Sequence, residues 1–509
     1  MSTSRTWAVA LTGVDGHLVE VEADISNQTP EFRIIGLPDK SLGEAVQRVH
    51  NACKNAGLDL PRRRLTVNLS PASLPKHGAG FDLGIAMACL AAGGAIAPRS
   101  IAATVHIGEL GLDGRVRPVP GVLPAVFAAA RAGFQTVIVP RGNEAEARLV
   151  PGVEVRAAAS LAEVAVWHGA DVEVPEVEPV EVAWTPPRRP DALDLSEVVG
   201  QEEAVEALIV AAAGGHHMLL SGPPGAGKTM LARRLPGIMP ALEEQEALEV
   251  ASVRSLCGEA VAELDALPPL EAPHHSATVA ALVGGGSRSA RPGAIARAHR
   301  GVLFLDEAAE FSRVALDALR QPLESGAIEV HRAGFTAKFP ARFQLVLAMN
   351  PCPCGNHGVR GAECVCPPMA IRRYTTRLSG PLRDRIDIDL QVSRVAASRA
   401  MSGTSAELTT AQARDRVASA RARAALRWKS TRWRRNADVP GTWLRQGSLR
   451  LPAATRAPLD RALERGALTL RGYDRVLRVA WTMADLAEVD RPGLDEIGRA
   501  LQLRRGLPR

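Results

Sequence analysis

Aromatic side chains are scarce in this chain: nine Phe, seven Trp and two Tyr make up 4% of 509 residues. Its cores must therefore be packed from Ala, Val, Leu and Ile. The 46% hydrophobic content supplies them and excludes wholesale disorder. Cysteine is sparse too. Three of the seven, Cys53, Cys89 and Cys257, stand alone, and an odd, scattered set excludes a disulfide framework. No basic-then-apolar segment opens the sequence, so no secretory signal is expected. The longest uncharged run, Leu83–Ala97, is shorter than the ~18–20 apolar residues of a membrane span. These absences predict a soluble, cytoplasmic protein. Charge bias is weak as well. A formal net charge of +6 permits an anionic partner such as nucleic acid without requiring one.

A chain of 509 residues is too long for one core. Residues 1–170 alternate apolar runs with helix-like stretches. Arg64–Leu69 and Thr136–Pro140 read as strands, and Ala125–Gly133 as a helix with a glycine cap. Residues 171–190 hold five prolines among alternating acids and predict an extended linker. Residues 191–395 alternate helices with the apolar runs Met218–Ser221, Val302–Asp306 and Gln344–Ala348, the pattern of a parallel sheet covered on both faces. Residues 396–509 are helical, rich in Ala and Arg.

The run Gly222-Pro223-Pro224-Gly225-Ala226-Gly227-Lys228-Thr229 fits G-x-x-x-x-G-K-[ST], between an apolar strand and a helix. Glycines let backbone N–H groups turn inward around phosphates, and the helix N-terminus adds positive potential. Lys228 supplies a full charge and Thr229 a hydroxyl for Mg²⁺. Gly301–Glu307 reads as a strand ending in two acids: Asp306 suits Mg²⁺, and Glu307 suits polarising a water. Asn350 ends a third strand, where an amide can orient that water.

These segments carry a resemblance. V-V-G-Q-E-E-A (198–204), the phosphate loop, A-P-H-H-S-A-T (272–278), A-H-R-G-V-L-F-L-D-E (298–307), F-P-A-R-F-Q-L-V-L-A-M-N-P-C-P-C-G (339–355) and L-S-G-P-L-R-D-R-I-D (378–387) resemble the YifB/ComM family of magnesium-chelatase-like AAA+ ATPases. The resemblance implies an α/β AAA+ core with a parallel sheet, an α-helical C-terminal lid, and a hexameric ring binding ATP between subunits, with Gln201 beside the nucleotide. It also implies a finger arginine reaching a neighbour's nucleotide, at Arg385; Arg383 stands nearby where the family more often has an apolar residue. The second sensor arginine matches Arg471 best, with Arg475 and Arg478 as alternatives. P-K-H-G-A-G-F-D-L-G-I-A-M-A (75–88) and G-E-L-G-L-D-G-R-V-R-P-V-P-G-V (108–122) resemble the Lon protease domain, of ribosomal S5 domain 2-like fold, and its counterpart in RadA. Lon's serine falls on Asp82 and its lysine near Ala125, so no peptidase activity is expected.

Cys352, Cys354, Cys364 and Cys366 form two C-x-C pairs separated by nine residues, suited to a structural tetrahedral Zn²⁺, with His357 as a possible substitute ligand. A redox-labile loop and thiols that merely pack are the other readings. For DNA, a hairpin with Gly334 near its tip would carry Arg332 and Lys338 into a ring's pore, and the loop Gly284–Gly293 offers Arg288 and Arg291. Arg421, Arg423, Arg427, Lys429, Arg432, Arg434 and Arg435 around Trp428 and Trp433 form the densest basic run, read equally as a nucleic-acid surface or a solvated helix face. Where relatives carry R-P-F-R this chain has Pro268-Pro-Leu-Glu271. Three functions follow: a branch-migration helicase acting in recombination or natural transformation, a metal-insertion motor of the magnesium-chelatase type, and a remodelling or regulatory ATPase.

Overall fold

The computed structural model describes residues 2–36, 40–181, 193–286, 291–332, 335–359, 361–395 and 408–504. Five strands open the chain: β1 (Ser2–Thr12), β2 (Asp15–Ser26), β3 (Glu31–Ile35), β4 (Arg64–Ser70) and β5 (Thr104–His106). A two-residue ladder of β6 (Glu109–Leu110) with β7 (Val116–Arg117) follows, then β8 (Thr136–Pro140) and β9 (Glu154–Ala158). Seven of these make one mixed sheet of order β3-β4-β2-β1-β5-β8-β9. Along β2, Val19, Val21 and Ala23 are fully buried while Glu20 and Glu22 turn outward, the period of two that one covered face demands. The cover is helix Asp82–Ala92, every residue of which is buried. The long uncharged run is thus a core helix of this sheet, apolar on all sides because it is enclosed on all sides. Helix Val122–Arg131 begins before the expected Ala125 because Gly121, at φ 84°, starts it.

Helix Asp82–Ala92 carries one charge into the core. Asp82, wholly buried, receives Arg48 through Nε–Oδ2 at 2.6 Å and Nη2–Oδ1 at 3.0 Å, and the Leu110 N–H at 3.3 Å. Burial pushes this carboxyl up to about 6, with Arg48 opposing. Lys76 is equally buried, donating to Gly36 O at 2.9 Å, Leu69 O at 3.0 Å and Pro71 O. Ala125 is packed in the core.

The second sheet is formed by β10 (Met218–Ser221), β11 (Leu270–Glu271), β14 (Val302–Leu305), β17 (Gln344–Met349) and β18 (Ile388–Gln391), all parallel, in the order β11-β14-β17-β10-β18. Between them in sequence lie the ladder of β12 (Gly284–Gly285) with β13 (Arg291–Pro292) and the hairpin of β15 (Ala327–Arg332) with β16 (Phe335–Pro340). Met218, Leu220, Phe304 and Val346 pack toward helices Glu202–Gly214, Lys228–Ile238, Thr410–Arg427 and Leu470–Leu486. Leu219, Leu303, Leu305 and Leu345 pack into a separate core on the other face. The strands therefore read as unbroken apolar runs. After β18 the described residues are helical. Among the described residues no helix is long and apolar enough to cross a membrane.

Among the described residues, two backbone contacts help to join the two sheets. Helix Glu244–Leu256 lies against helix Val122–Arg131, where the Gly121 N–H donates to Ser255 O at 3.0 Å and Ser255 Oγ receives the Leu123 N–H at 3.4 Å. The β1–β2 turn touches the hairpin: Gly13, at φ 72°, bridges Lys338, and a Cβ there would lie 1.9 Å from Lys338 O.

Replacing Arg48 by Met leaves Asp82 buried without its cation, and the expected loss is about 3–5 kcal/mol of unfolding free energy. A carboxyl raised above its ordinary range binds its proton more tightly folded than unfolded, so its contribution to stability falls as pH rises. The Arg48→Met deficit should therefore narrow as pH is lowered toward about 6, because Asp82 without Arg48 takes up its proton at higher pH, and change little below that. Urea denaturation at two pH values measures both effects.

Candidate nucleotide site

The strands β10, β14 and β17 end side by side, and their ends hold the site. After Ser221 the chain turns into the phosphate loop. Gly222 takes a position where a Cβ would lie 2.1 Å from Val392 O, so only glycine lets the loop leave the strand beside β18. Gly225 and Gly227 sit at φ 75° and 85°, and the turn feeds helix Lys228–Ile238. Lys228 is buried. Its ammonium donates to Gly222 O at 2.6 Å, Pro223 O at 2.9 Å and Asn350 Oδ1 at 3.0 Å. Burial lowers its pKa, opposed by the charges of Asp306 and Glu307. Thr229 Oγ1 donates to Asp306 Oδ2 at 2.6 Å.

Glu307 follows Asp306 in the left-handed region, at φ 49°, with its N–H on Asp306 Oδ1 at 2.9 Å. The turn aims consecutive acids at different partners. Gln201 approaches from the other side, its Nε2 on Ala226 O at 2.6 Å and its Oε1 buried without a hydrogen-bond partner. A hydroxyl joined to a carboxylate can hold Mg²⁺. A lysine over a glycine-rich turn can hold phosphate, and an unpaired acceptor can take an N–H from a purine base. These groups fit a magnesium nucleotide. The geometry also adds His275, whose Nδ1 lies 3.3 Å from Glu307 Oε2. The A-P-H-H-S-A-T run holds this histidine, yet a spacing rule for nucleotide sites has no place for it.

Two residues beyond Asn350 the four clustered cysteines meet. Their sulfurs all lie within 4.8 Å of one another, with Cys352 at 3.4 Å from Cys354 and 3.8 Å from Cys364, and Cys354 at 3.7 Å from Cys364. Four thiolates about 2.3 Å from a zinc ion stand about 3.8 Å apart, so the cluster has the size of such a site. Backbone N–H donation from Asn356, then contact with Cys352, holds the Cys354 thiol down to about 6. His357 is no member of the cluster; it offers Cys352 Sγ only its backbone N–H, at 3.3 Å. The loop leans on the phosphate loop, since a Cβ on Gly355 would meet Pro224 Cδ at 2.4 Å.

Comparison with known proteins decides what this geometry belongs to. A family model described as magnesium chelatase, subunit ChlI, matches residues 194–400, and companion models match 21–143 and 407–504. A Mycobacterium tuberculosis H37Rv protein is 49% identical over 506 residues, 99% of each chain. The competence protein ComM of Haemophilus influenzae is 40% identical over 495 residues, 96% of this chain and 94% of that one. YifB of Escherichia coli K12 is 38% identical over the same shares. The chain belongs to the YifB/ComM family of magnesium-chelatase-like AAA+ ATPases. It is therefore an ATPase of this family, and the family implies ATP and Mg²⁺ as its ligands. Part of the chain is also similar to the Lon protease of Mycolicibacterium smegmatis, 30% identical over 154 residues, 28% of this chain and 19% of the protease.

Within a YifB/ComM chain the arginines can now be placed. Arg385 is mostly covered, donating to Pro381 O at 2.7 Å and paired with Glu324. Arg383 pairs with Asp389 at 3.4 Å. Arg475 is tied to Asp387 at 2.5 Å inside the protein, and Arg478 is half-buried. Arg471 is exposed, 3.9 Å from Asp384, the neighbour of Arg385 in sequence. Of the DNA candidates, Lys338 is exposed on β16 and Arg332 lies on β15 with its side chain outside the described residues. Arg288 lies outside them entirely. Arg291 lines a cleft with Pro118, Pro120 and Glu259, away from the hairpin.

The basic run near Trp428 is divided, with Arg421, Arg427 and Arg435 turned into the fold, which corrects the reading of the whole run as a nucleic-acid surface or solvated face. Arg427 pairs with Asp485, Arg421 donates to Ala212 O at 2.7 Å and Arg435 holds Asp438 at 2.9 Å. Trp428 is 2% exposed and donates to Asn436 at 3.0 Å. Only Lys429, Arg432 and Arg434 of that run are exposed. Glu271 pairs with Arg297 at 3.0 Å, so its acid is used within the fold.

Gly222→Ala must push the phosphate loop off Val392. The expected outcome is at least about a tenfold weaker affinity for a fluorescent ATP analogue, roughly 1.4 kcal/mol, read by titration.

Proposed function

We propose that the protein hydrolyses ATP between the subunits of a hexameric ring and uses the cycle to move DNA, as a branch-migration helicase. The observation that carries the hydrolytic part is the convergence of Lys228, Thr229 with Asp306, Glu307 and Asn350 on three adjacent strand ends. The backbone of Gly222–Thr229 would wrap the phosphates and Lys228 would meet their charge. Thr229 and Asp306 would hold Mg²⁺, which supplies charge neutralisation at the phosphates when bound. Glu307 takes a proton from water as its oxygen bonds the γ-phosphorus and the bond to the ADP oxygen breaks; Asn350 orients that water. Arg385 would meet the same phosphate from a neighbour, exchanging Glu324 for it, with Arg471 beside it.

The four cysteines would hold a structural Zn²⁺. With all four positions taken by thiolates no open site remains for catalysis. The division into residues 1–170, a linker 171–190, an ATPase part 191–395 and a helical lid 396–509 serves this reading. Asp82 is bound to Arg48 and Ala125 has no amine, which supports a Lon-like part that scaffolds and does not cleave peptides. DNA as the moved substrate is supported by the relative named as a competence protein and by exposed Lys338 on the hairpin. The weak apolar runs fit a cytoplasmic setting. The matching family models named for magnesium chelatase favour a second reading, a metal-insertion motor. That reading calls for a D-x-S-x-S adhesion motif, which this sequence lacks.

The deciding measurement is ATP-dependent branch migration of a four-way DNA junction. The wild-type chain is expected to move the junction, with Lys228→Ala and Glu307→Gln losing about 100-fold or more in rate. If DNA neither binds nor raises ATP hydrolysis, the helicase reading falls. Elemental analysis should find about one zinc per chain, lost in Cys364→Ser/Cys366→Ser.

A further inference from the structure

We propose that the four-cysteine loop is the support of the phosphate loop, so that Zn²⁺ held by its thiolates and a nucleotide held at Gly222–Thr229 strengthen each other's binding. The inference rests on the readings that the thiols take Zn²⁺ and that the phosphate loop takes ATP. Among the described residues between β17 and helix Pro368–Thr375 there is no helix or strand. From Cys352 to Cys366, Cys352 and Gly355 are the buried members of the described stretch. It has no apolar core of its own. Its turns rest on bonds such as the Gly355 N–H to Cys352 O at 3.0 Å and Asn356 Nδ2 to Glu363 O at 3.2 Å. What the loop encloses is its sulfur cluster, and a metal there would tie its first turn, at Cys352 and Cys354, to its last, at Cys364 and Cys366.

Both ends of the loop are rooted at the nucleotide site. Cys352 stands two residues after Asn350, whose Oδ1 receives the Lys228 ammonium at 3.0 Å. Just past Cys366 the chain enters helix Pro368–Thr375, where the buried Tyr374 sets its hydroxyl against the Asn350 backbone. Between these ends Gly355, at φ 80°, packs on the ring of Pro224, where a Cβ would meet Cδ at 2.4 Å and Cγ at 2.7 Å. The carbonyl of Pro224 receives Arg394 Nε at 3.2 Å. Pro224 is the third residue of the phosphate loop, so a fixed thiol loop fixes the turn that must close on phosphate. A turn ordered beforehand loses less conformational freedom when its ligand arrives. The gain is reciprocal: whatever factor the metal adds to nucleotide affinity, the nucleotide adds to metal affinity.

The test uses the full chain in excess Mg²⁺. Zinc is removed with a zinc-selective chelator and then restored, and a fluorescent ATP analogue is titrated at each stage. Removal is expected to weaken the analogue at least about fivefold with far-UV circular dichroism unchanged, and restoration to recover the loss. Zinc affinity, measured by chelator competition, should rise by the same factor when a non-hydrolysable ATP analogue saturates the protein. Pro224→Ala keeps all four thiols and removes the ring on which Gly355 packs. Its zinc content should match wild type while the coupling shrinks to within about twofold. Equal nucleotide affinity with and without zinc, an effect in one direction lacking its reciprocal, collapse of the helical signal on zinc removal, or full coupling in Pro224→Ala would each overturn the proposal. A wild-type chain that carries no zinc would overturn the zinc reading, one that binds no analogue the nucleotide reading, and either takes this inference with it.

Discussion

Ser221 on β10 pairs with Met349 on β17, and Leu305 on β14 pairs with Leu347 on the same strand. This register is the constraint on which the candidate site stands. It sets the phosphate loop, the acid pair and Asn350 at neighbouring ends of three strands. It brings Thr229 within 2.6 Å of Asp306 across 77 positions of sequence. A slip of one residue in any strand would turn each apolar side chain toward the wrong core and move an acid or an amide away from the loop. Packing and chemistry are therefore fixed by the same set of backbone hydrogen bonds.

Much of this was legible beforehand. The three strand ends are apolar runs with polar tips, and the phosphate loop declares itself by spacing alone. The four cysteines came together because only nine residues separate their pairs. What the sequence could not show is where long-range partners meet. His275 and Glu307 are brought together by tertiary packing, and nothing local to either segment announces it. Arg48 reaches Asp82 across 34 positions for the same reason. The basic run around Trp428 misled in the opposite direction. Arginine on a helix reads as a solvated face, yet Arg421 and Arg427 find carbonyl and carboxylate partners within the fold.

That interior charge gives the helical part its own logic. Asp485 binds Arg427 and Asn436, and Asn436 reaches Thr482, whose hydroxyl lies 2.8 Å from His216. His216 faces Asp387, which holds Arg475. The chain of contacts runs from the last helices to the start of β10 and the approach to β18. Each member is shielded from water and would be costly to leave unmatched. Trp428 and Trp481 are buried against the same network, with Arg427 lying over both rings, so directional contacts and bulky rings set the fit together.

The bridge between Gly13 and Lys338 has a mechanical meaning. The β15–β16 hairpin is not a free finger, because its backbone is joined to the turn of the longest ladder in the molecule, β1 with β2. Whatever pushes on Lys338 loads a stiff seven-stranded plate through a single peptide contact. That plate is also held where helix Val122–Arg131 meets helix Glu244–Leu256, so a load at the hairpin would be shared between two joints.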